Sequence, residues 1–265
     1  MDFLSSWQSL QQQFPLLDHV RLDMVWQYRE LFLRGALMTL QITFIAVLLG
    51  TAIGLIVGII RITDVTHSRW RWPLTYLLRW PAIAYTTFFR GTPLFVQILL
   101  IHFAVLPSLI HPTDGLLICG EWARVLRQDY GAFISGLLAL TLNSGAYVTE
   151  IFRAGIQSIH RGQSEAARSL GLNYWQSLRY VIVPQAFRRM LPPLGNETIT
   201  LLKDSSLVSA IGLTEMVYAA RTVAGAYSRF WEPYMTIALA YLAMTMLLAL
   251  LVAKIEQHFR HKGGF

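Results

Sequence analysis

Asn196, Glu197, Thr200, Lys203 and Asp204 follow an i, i+1, i+4, i+7, i+8 spacing. On an α-helix that spacing makes one polar stripe. Two carboxylates, an ammonium, an amide and a hydroxyl on one face could bind a zwitterion or pass a cation. They could equally join helices through hydrogen bonds and a neutralised Lys203–Asp204 pair. Asn143 and Ser144, with Thr43 and Gln97, are further polar groups inside apolar sequence, and single residues of that kind often serve as glue between helices. Glu150 has Arg153 three residues on, the spacing of a local ion pair on one helix face. The chain has no G-x-x-x-x-G-K-[ST] phosphate loop. It also lacks the H-E-x-x-H and G-x-S-x-G patterns of hydrolases. The lone Cys119 excludes an internal disulfide and a multi-cysteine metal site.

The elements carrying these residues must be membrane helices. Of 265 residues 54% are hydrophobic and 14% charged, with mean hydropathy +0.45, whereas soluble domains carry about 25% charged residues. That balance argues against a soluble globular chain and against a disordered one. A spanning helix needs about 20 predominantly apolar residues to cross roughly 30 Å of hydrocarbon. Residues 35–60, 91–113, 130–149 and 233–253 meet that length without Asp, Glu, Lys or Arg. The first apolar run starts only near Gly35, so no secretory signal is expected.

The net charge of +7 is a topology signal rather than a nucleic-acid one. Residues 61–90 hold Arg61, Arg69, Arg71, Arg79 and Arg90 against Asp64. Residues 150–189 hold Arg153, Arg161, Arg168, Arg179, Arg188 and Arg189 against Glu150 and Glu165, and the tail holds Lys254, Arg260 and Lys262 against Glu256. By the positive-inside rule all three regions are cytoplasmic. If 150–189 and the tail lie on one side, the chain must leave and return between them. Residues 233–253 supply the return, and the outward crossing falls in about 187–217, hidden from hydropathy by Glu197, Lys203 and Asp204. The expected fold is an all-α integral membrane protein of five transmembrane helices, N-terminus outside and C-terminus cytoplasmic. With its inner end near Arg189, the hidden span places Glu197 about 12 Å and Asp204 about 22 Å deep. Pro192, Pro193 and Gly195 at its start, with Gly212 beyond, suggest a broken helix of the kind that lines transporter cavities. Residues 1–33, with Trp7, Trp26 and Pro15, form an external segment, either interfacial or merely flexible.

The cytoplasmic stretch 153–189 is too long for a turn. Ser164-Glu165-Ala166-Ala167 can begin a short helix, Gly171 can end it in a left-handed turn, and Pro184 marks re-entry into the membrane. That describes a helix pair held at the membrane face, shaped to dock into a cytosolic partner or to lie on anionic lipid.

Glu165-Ala166-Ala167, Gly171 four residues later, and Pro184 after Val181-Ile182-Val183 resemble the coupling-loop signature of ABC importer permeases, which favours Ile at 181 and Leu at 183. Phe89-Arg90-Gly91-Thr92-Pro93-Leu94, Leu142-Asn143-Ser144-Gly145-Ala146-Tyr147, Pro192-Pro193-Leu194-Gly195-Asn196-Glu197 and Leu202-Lys203-Asp204-Ser205-Ser206-Leu207 resemble the polar amino acid permeases, the glutamine, histidine, arginine and glutamate/aspartate type. The likeness covers about residues 34–258, leaving 259–265 as a cytoplasmic tail; the outer loop 104–129 is less familiar.

The resemblance implies a transport subunit of the bacterial cytoplasmic membrane that is not itself an enzyme and holds no cofactor, ATP and Mg being bound by a partner ATPase. It implies a second permease subunit, identical or paralogous, two cytosolic ATPase subunits, an extracytoplasmic amino-acid-binding protein, a lipid bilayer around them and no nucleic acid. Glu165, Ala166, Ala167 and Gly171 become candidates for ATPase coupling. Arg161 and Arg168 become partners for acids on the ATPase, or else positive charge facing lipid. Asn143, Ser144, Asn196, Glu197, Thr200, Lys203 and Asp204 become candidates for the substrate pathway. The competing class is an ion- or proton-coupled carrier or channel using Glu197 and Asp204, which would have no use for the loop signature; a membrane scaffold would leave the polar stripe without a purpose.

Overall fold

The computed structural model describes residues 6, 21–62 and 75–261. Arg69, Arg71 and Lys262, and most of the expected external segment, lie outside the described residues. Among those described, all regular structure is helical, apart from one isolated bridge between Ile110 and Ile118. A short α1 (Leu22–Gln27) precedes α2 (Arg29–Ile62). A π-helical turn (Thr75–Arg79) leads into α3 (Trp80–Gly91). After a break come α4 (Leu94–Leu100), a second π turn (Ile101–Val105) and α5 (Leu106–Leu109). The 37-residue α6 (Glu121–Gln157) follows, then α7 (Arg161–Ser169) and α8 (Tyr174–Ser177). A third π turn (Leu178–Ile182) continues into α9 (Val183–Asp204) and a 3-10 segment (Ser205–Ile211). The chain closes with α10 (Met216–Tyr227) and α11 (Trp231–His261).

Among the described residues three helices are long and apolar enough to cross a membrane, or up to five crossings if each of two bent pairs counts as one. The bends are 110° between Tyr76–Gly91 and Leu94–Leu109, and 49° between Tyr174–Ile211 and Met216–Tyr227. The region expected to hold the hidden crossing is helical from residue 174 to 211.

Two sequence expectations are corrected. The run 91–113 does not start a span: its helix begins at residue 75 and breaks at Thr92, which is extended (φ −121°, ψ 149°). Pro93 forces this, because its ring disfavours helical backbone in the residue before it. Pro192 and Pro193 do not break α9; the interruption comes at Gly212, in the left-handed region at φ 84°.

Prolines instead correlate with the π turns, each ending two residues before one: Pro81, Pro107 and Pro184. A proline lacks the N–H for the i−4 carbonyl and its ring crowds that carbonyl. The affected carbonyls belong to Leu77, Phe103 and Tyr180, the middle residue of each π turn, where the helix widens to accommodate them.

The α2–α6 pair forms the centre of the bundle. Gly50, Gly54 and Gly58 recur every four residues on the buried face of α2. A Cβ at Gly54 would stand 2.6 Å from the Val148 side chain and 2.9 Å from the Gly145 carbonyl oxygen. This seam of small residues lets the backbones approach, as membrane helices commonly do. Ile42, Ile98, Leu140, Leu201 and Val208 complete the core from α2, α4, α6, α9 and the 3-10 segment. Outward, α11 exposes Leu239, Leu242, Met246, Leu247, Leu250 and Leu251. So much contiguous apolar surface is foreign to a water-facing protein and suits lipid or a partner helix.

Candidate functional site

The polar residues sort into four places. At the break between α3 and α4, Gln97 Nε2 donates to the Phe89 carbonyl (2.8 Å), the Thr92 carbonyl (3.0 Å) and Thr92 Oγ1 (2.9 Å). Asn143 Nδ2 reaches across from α6 to the Phe89 carbonyl (3.2 Å) and to Gln97 Oε1 (2.9 Å). Both amides are buried. They satisfy carbonyls that a helix C-terminus leaves without intrahelical partners. Thr43 points back at its own helix, donating to the Thr39 carbonyl at 2.7 Å.

Towards the other end of α6, Glu150 gathers three arginines. Arg153 contributes a hydrogen bond of 2.9 Å and an ion pair of 2.7 Å, Arg61 pairs directly from the end of α2, and Arg90 approaches to 3.8 Å. Arg61 also donates to Thr86 of α3 at 3.0 Å, while the Arg90 guanidinium lies 5.5 Å from the centre of the Tyr147 ring. The local pair read from spacing is present, but Glu150 is a three-helix clasp. One carboxylate among three guanidinium groups leaves that end of the bundle locally positive.

The stripe on α9 is divided. Ser144 of α6 is buried near the Glu197 carboxylate of α9. Asn196, Thr200 and Lys203 are exposed on the single chain, and Glu197 and Asp204 are half-buried. Lys203 lines a cleft of about 280 Å³ with Ser206, Tyr234 and Tyr241. Among the described residues no ion pair within 4 Å joins Lys203 to Asp204. Ionisable groups at membrane depth normally face a bundle interior or a watery cavity, so this face of α9 calls for protein or water against it.

Between α6 and α9 stands the helix pair. α7 is capped by His160, whose Nδ1 accepts from the Gly162 N–H at 3.1 Å. It ends in a Schellman turn: the Gly171 N–H donates to the Arg168 carbonyl (2.9 Å) and the Leu172 N–H to the Ala167 carbonyl (3.1 Å). Gly171 has φ +83° with no atom near where a Cβ would go. Asn173 and Gln176 form a reciprocal capping box at the start of α8. Ala167 is buried while Glu165, Ala166, Leu170 and Gly171 are exposed. One polar contact ties the pair to α9, Gln185 Nε2 to Gln163 Oε1 at 3.2 Å, while Arg189 Nη1 of α9 donates to the Ser158 carbonyl at the end of α6 at 2.6 Å.

Sequence reasoning missed Glu215 and Glu232. Glu215 is fully buried; its Oε1 accepts from the Tyr218 N–H and its Oε2 from the Tyr241 hydroxyl, each at 2.9 Å. It caps α10 and fastens it to α11, while the Met216 N–H meets Thr39 Oγ1 of α2 at 3.4 Å. Glu232 accepts from the Arg21 N–H at 3.0 Å and pairs with Arg229 at 3.1 Å. The available signal was Gly212 three residues before Glu215, a helix stop followed by a new start.

Helices long and apolar enough to cross a membrane, three to five among the described residues, define the class as a multi-pass membrane protein, and comparison with known proteins names the family. Residues 74–261 match the model for "Binding-protein-dependent transport system inner membrane component". The chain is 34% identical over 236 residues to the glutamine transport system permease protein GlnP of Escherichia coli, covering 89% of this chain and 96% of that one. It is also 34% identical over 228 residues to the arginine transport system permease protein ArtQ of Bacillus subtilis, covering 86% and 92%. A crystal structure of an amino acid ABC transporter with histidines superposes with a TM-score of 0.73 at 36% identity, over 90% of this chain and 99% of that one. The chain belongs to the family of inner membrane components of binding-protein-dependent transport systems.

Proposed function

We propose that this chain is the membrane-spanning permease of an ATP-driven importer carrying a polar or charged amino acid into the cytoplasm. It works beside a second permease subunit, identical or paralogous, with two cytosolic ATPase subunits that bind ATP and Mg and an extracytoplasmic binding protein, in a bacterial cytoplasmic membrane. The relatives named for glutamine and arginine transport support the substrate class. The observation that carries the coupling is the Glu165–Gly171 turn, exposed except at Ala167 and linked through Gln163–Gln185 to the helix bearing Glu197. Glu165, Ala166, Ala167 and Gly171 receive the ATPase. Its closure pushes α7 and α8, and α9 moves with them. Asn196 and Thr200, exposed at membrane depth, face the second subunit and the substrate pathway between the two. Glu197 and Asp204 offer carboxylates to a substrate ammonium group, and Lys203 offers a cation to a substrate carboxylate. Asn143 acts at one remove, fixing the broken helix beside the pathway.

Two outcomes are expected. The N-terminus lies outside and the C-terminus inside, so a reporter fused after Phe265 reads cytoplasmic and one inserted at 111–129 reads external. Finding 111–129 on the same side as 150–189 would exclude five crossings. For the turn, Gly171→Val puts a β-branched residue at positive φ, which is strongly disfavoured, whereas Gly171→Asn tolerates it. Valine should strip the ATPase from membranes and stop uptake while the permease still inserts; asparagine should retain both. Equal ATPase recovery and uptake in the valine variant would remove this turn from coupling.

A further inference from the structure

We infer that the chain holds one anionic phospholipid between the α7–α8 pair and the bundle, its headgroup on Arg161 and Arg168 and an acyl chain in the adjoining groove. The groove, about 420 Å³, is walled almost wholly by apolar groups from α2, α6, α8 and α9, among them Leu55, Ile59, Phe152, Trp175 and Phe187. Tyr174 and Leu178 belong both to this groove and to a second hollow of about 150 Å³. Arg161, Ser164 and Arg168 line that hollow, at i, i+3, i+7 on α7, together with Ser177. Neither arginine has an ion-pair partner among the described residues. Ser177 is 4% exposed, and its hydroxyl has no hydrogen-bond partner there. A buried hydroxyl without a partner is costly and rare.

The arrangement commits to one occupant. A cytosolic acidic protein would satisfy the arginines but leave the groove bare, and a neutral lipid would fill the groove but leave the arginines unpaired. A phosphate ester carrying an acyl chain does both: its oxygens accept from the two guanidinium groups and from Ser177, and its chain runs up the groove along α9. Glu165 and Ala166, exposed on the same helix, stay available to another partner. The lipid comes from the leaflet on the side of the helix pair and braces that pair against the membrane.

The full chain, purified with whatever subunits accompany it and placed in nanodiscs, tests this through Trp175. Phosphatidylglycerol and phosphatidylcholine with brominated acyl chains quench tryptophan on contact, and subtracting the signal of Trp175→Phe isolates the groove. Two arginines each favouring an anionic headgroup predict half-quenching by phosphatidylglycerol at a mole fraction about thirtyfold lower than by phosphatidylcholine. Arg161→Ala with Arg168→Ala should bring the two curves together, the paired lysine substitutions should keep them apart, and free glycerol phosphate should not relieve the quenching. Coincident curves in the unaltered chain, unchanged curves in the alanine pair, release by glycerol phosphate, or a Trp175 that neither lipid quenches because a second copy covers it would each overturn the assignment.

Discussion

Gly54→Leu is expected to eliminate the folded permease from the membrane. The Cβ alone would stand 2.6 Å from Val148 and 2.9 Å from the Gly145 carbonyl oxygen, and the second of these is backbone that cannot rotate away. Relief requires parting α2 from α6, the most extensively packed pair in the bundle. Ordinary overpacking costs about 1–3 kcal/mol; separating two backbones costs more, because Gly50 and Gly58 lose their contacts together. Gly54→Ala presents the same Cβ without the added bulk and should lower the yield less. Protease resistance and recovered protein in detergent check both. Leucine at wild-type yield would show that the seam is not closely packed.

Glu197→Gln is expected to lower uptake about tenfold, the scale of one lost charge-assisted contact, with assembly preserved. Glutamine keeps the length and shape of the side chain and an accepting carbonyl oxygen, so only the charge is removed. Asp204→Asn should act in the same direction. Uptake and recovered permease–ATPase complex, measured in the same membranes over a panel of labelled polar amino acids, separate the two roles. Parallel loss of complex and uptake would make the carboxylates structural, and full uptake in both variants would remove them from the pathway.

What was legible in the sequence was what apolar runs and charge asymmetry encode. Uncharged stretches of twenty or more residues marked helices because lipid tolerates little else, and the arginine clusters pointed to the helix around Glu197 that hydropathy alone had missed. Gly171 was readable because a left-handed helix stop favours glycine whatever surrounds it. The break at Thr92 escaped because an apolar run reports solvent preference rather than backbone direction, although Pro93 was there to be used. Glu150 gave up only its local partner: Arg153 sits on the same helix, whereas Arg61 lies 89 residues away and meets it only through packing. Asn143 read first as glue between helices and second as a substrate contact. Its bonds to Phe89 and Gln97 depend on a bend that one-dimensional spacing does not contain.

The central claim is that ATP hydrolysis by separate subunits drives this chain. Its most direct measurement is labelled amino acid uptake into proteoliposomes containing the permease and its co-purifying ATPase, with ATP inside and the binding protein outside. The account predicts uptake only when both are present, persistence when an uncoupler collapses the proton gradient, and loss with Gly171→Val. Uptake by the permease alone, driven by an imposed proton or cation gradient without ATP, would contradict it and make the chain a carrier working through Glu197 and Asp204.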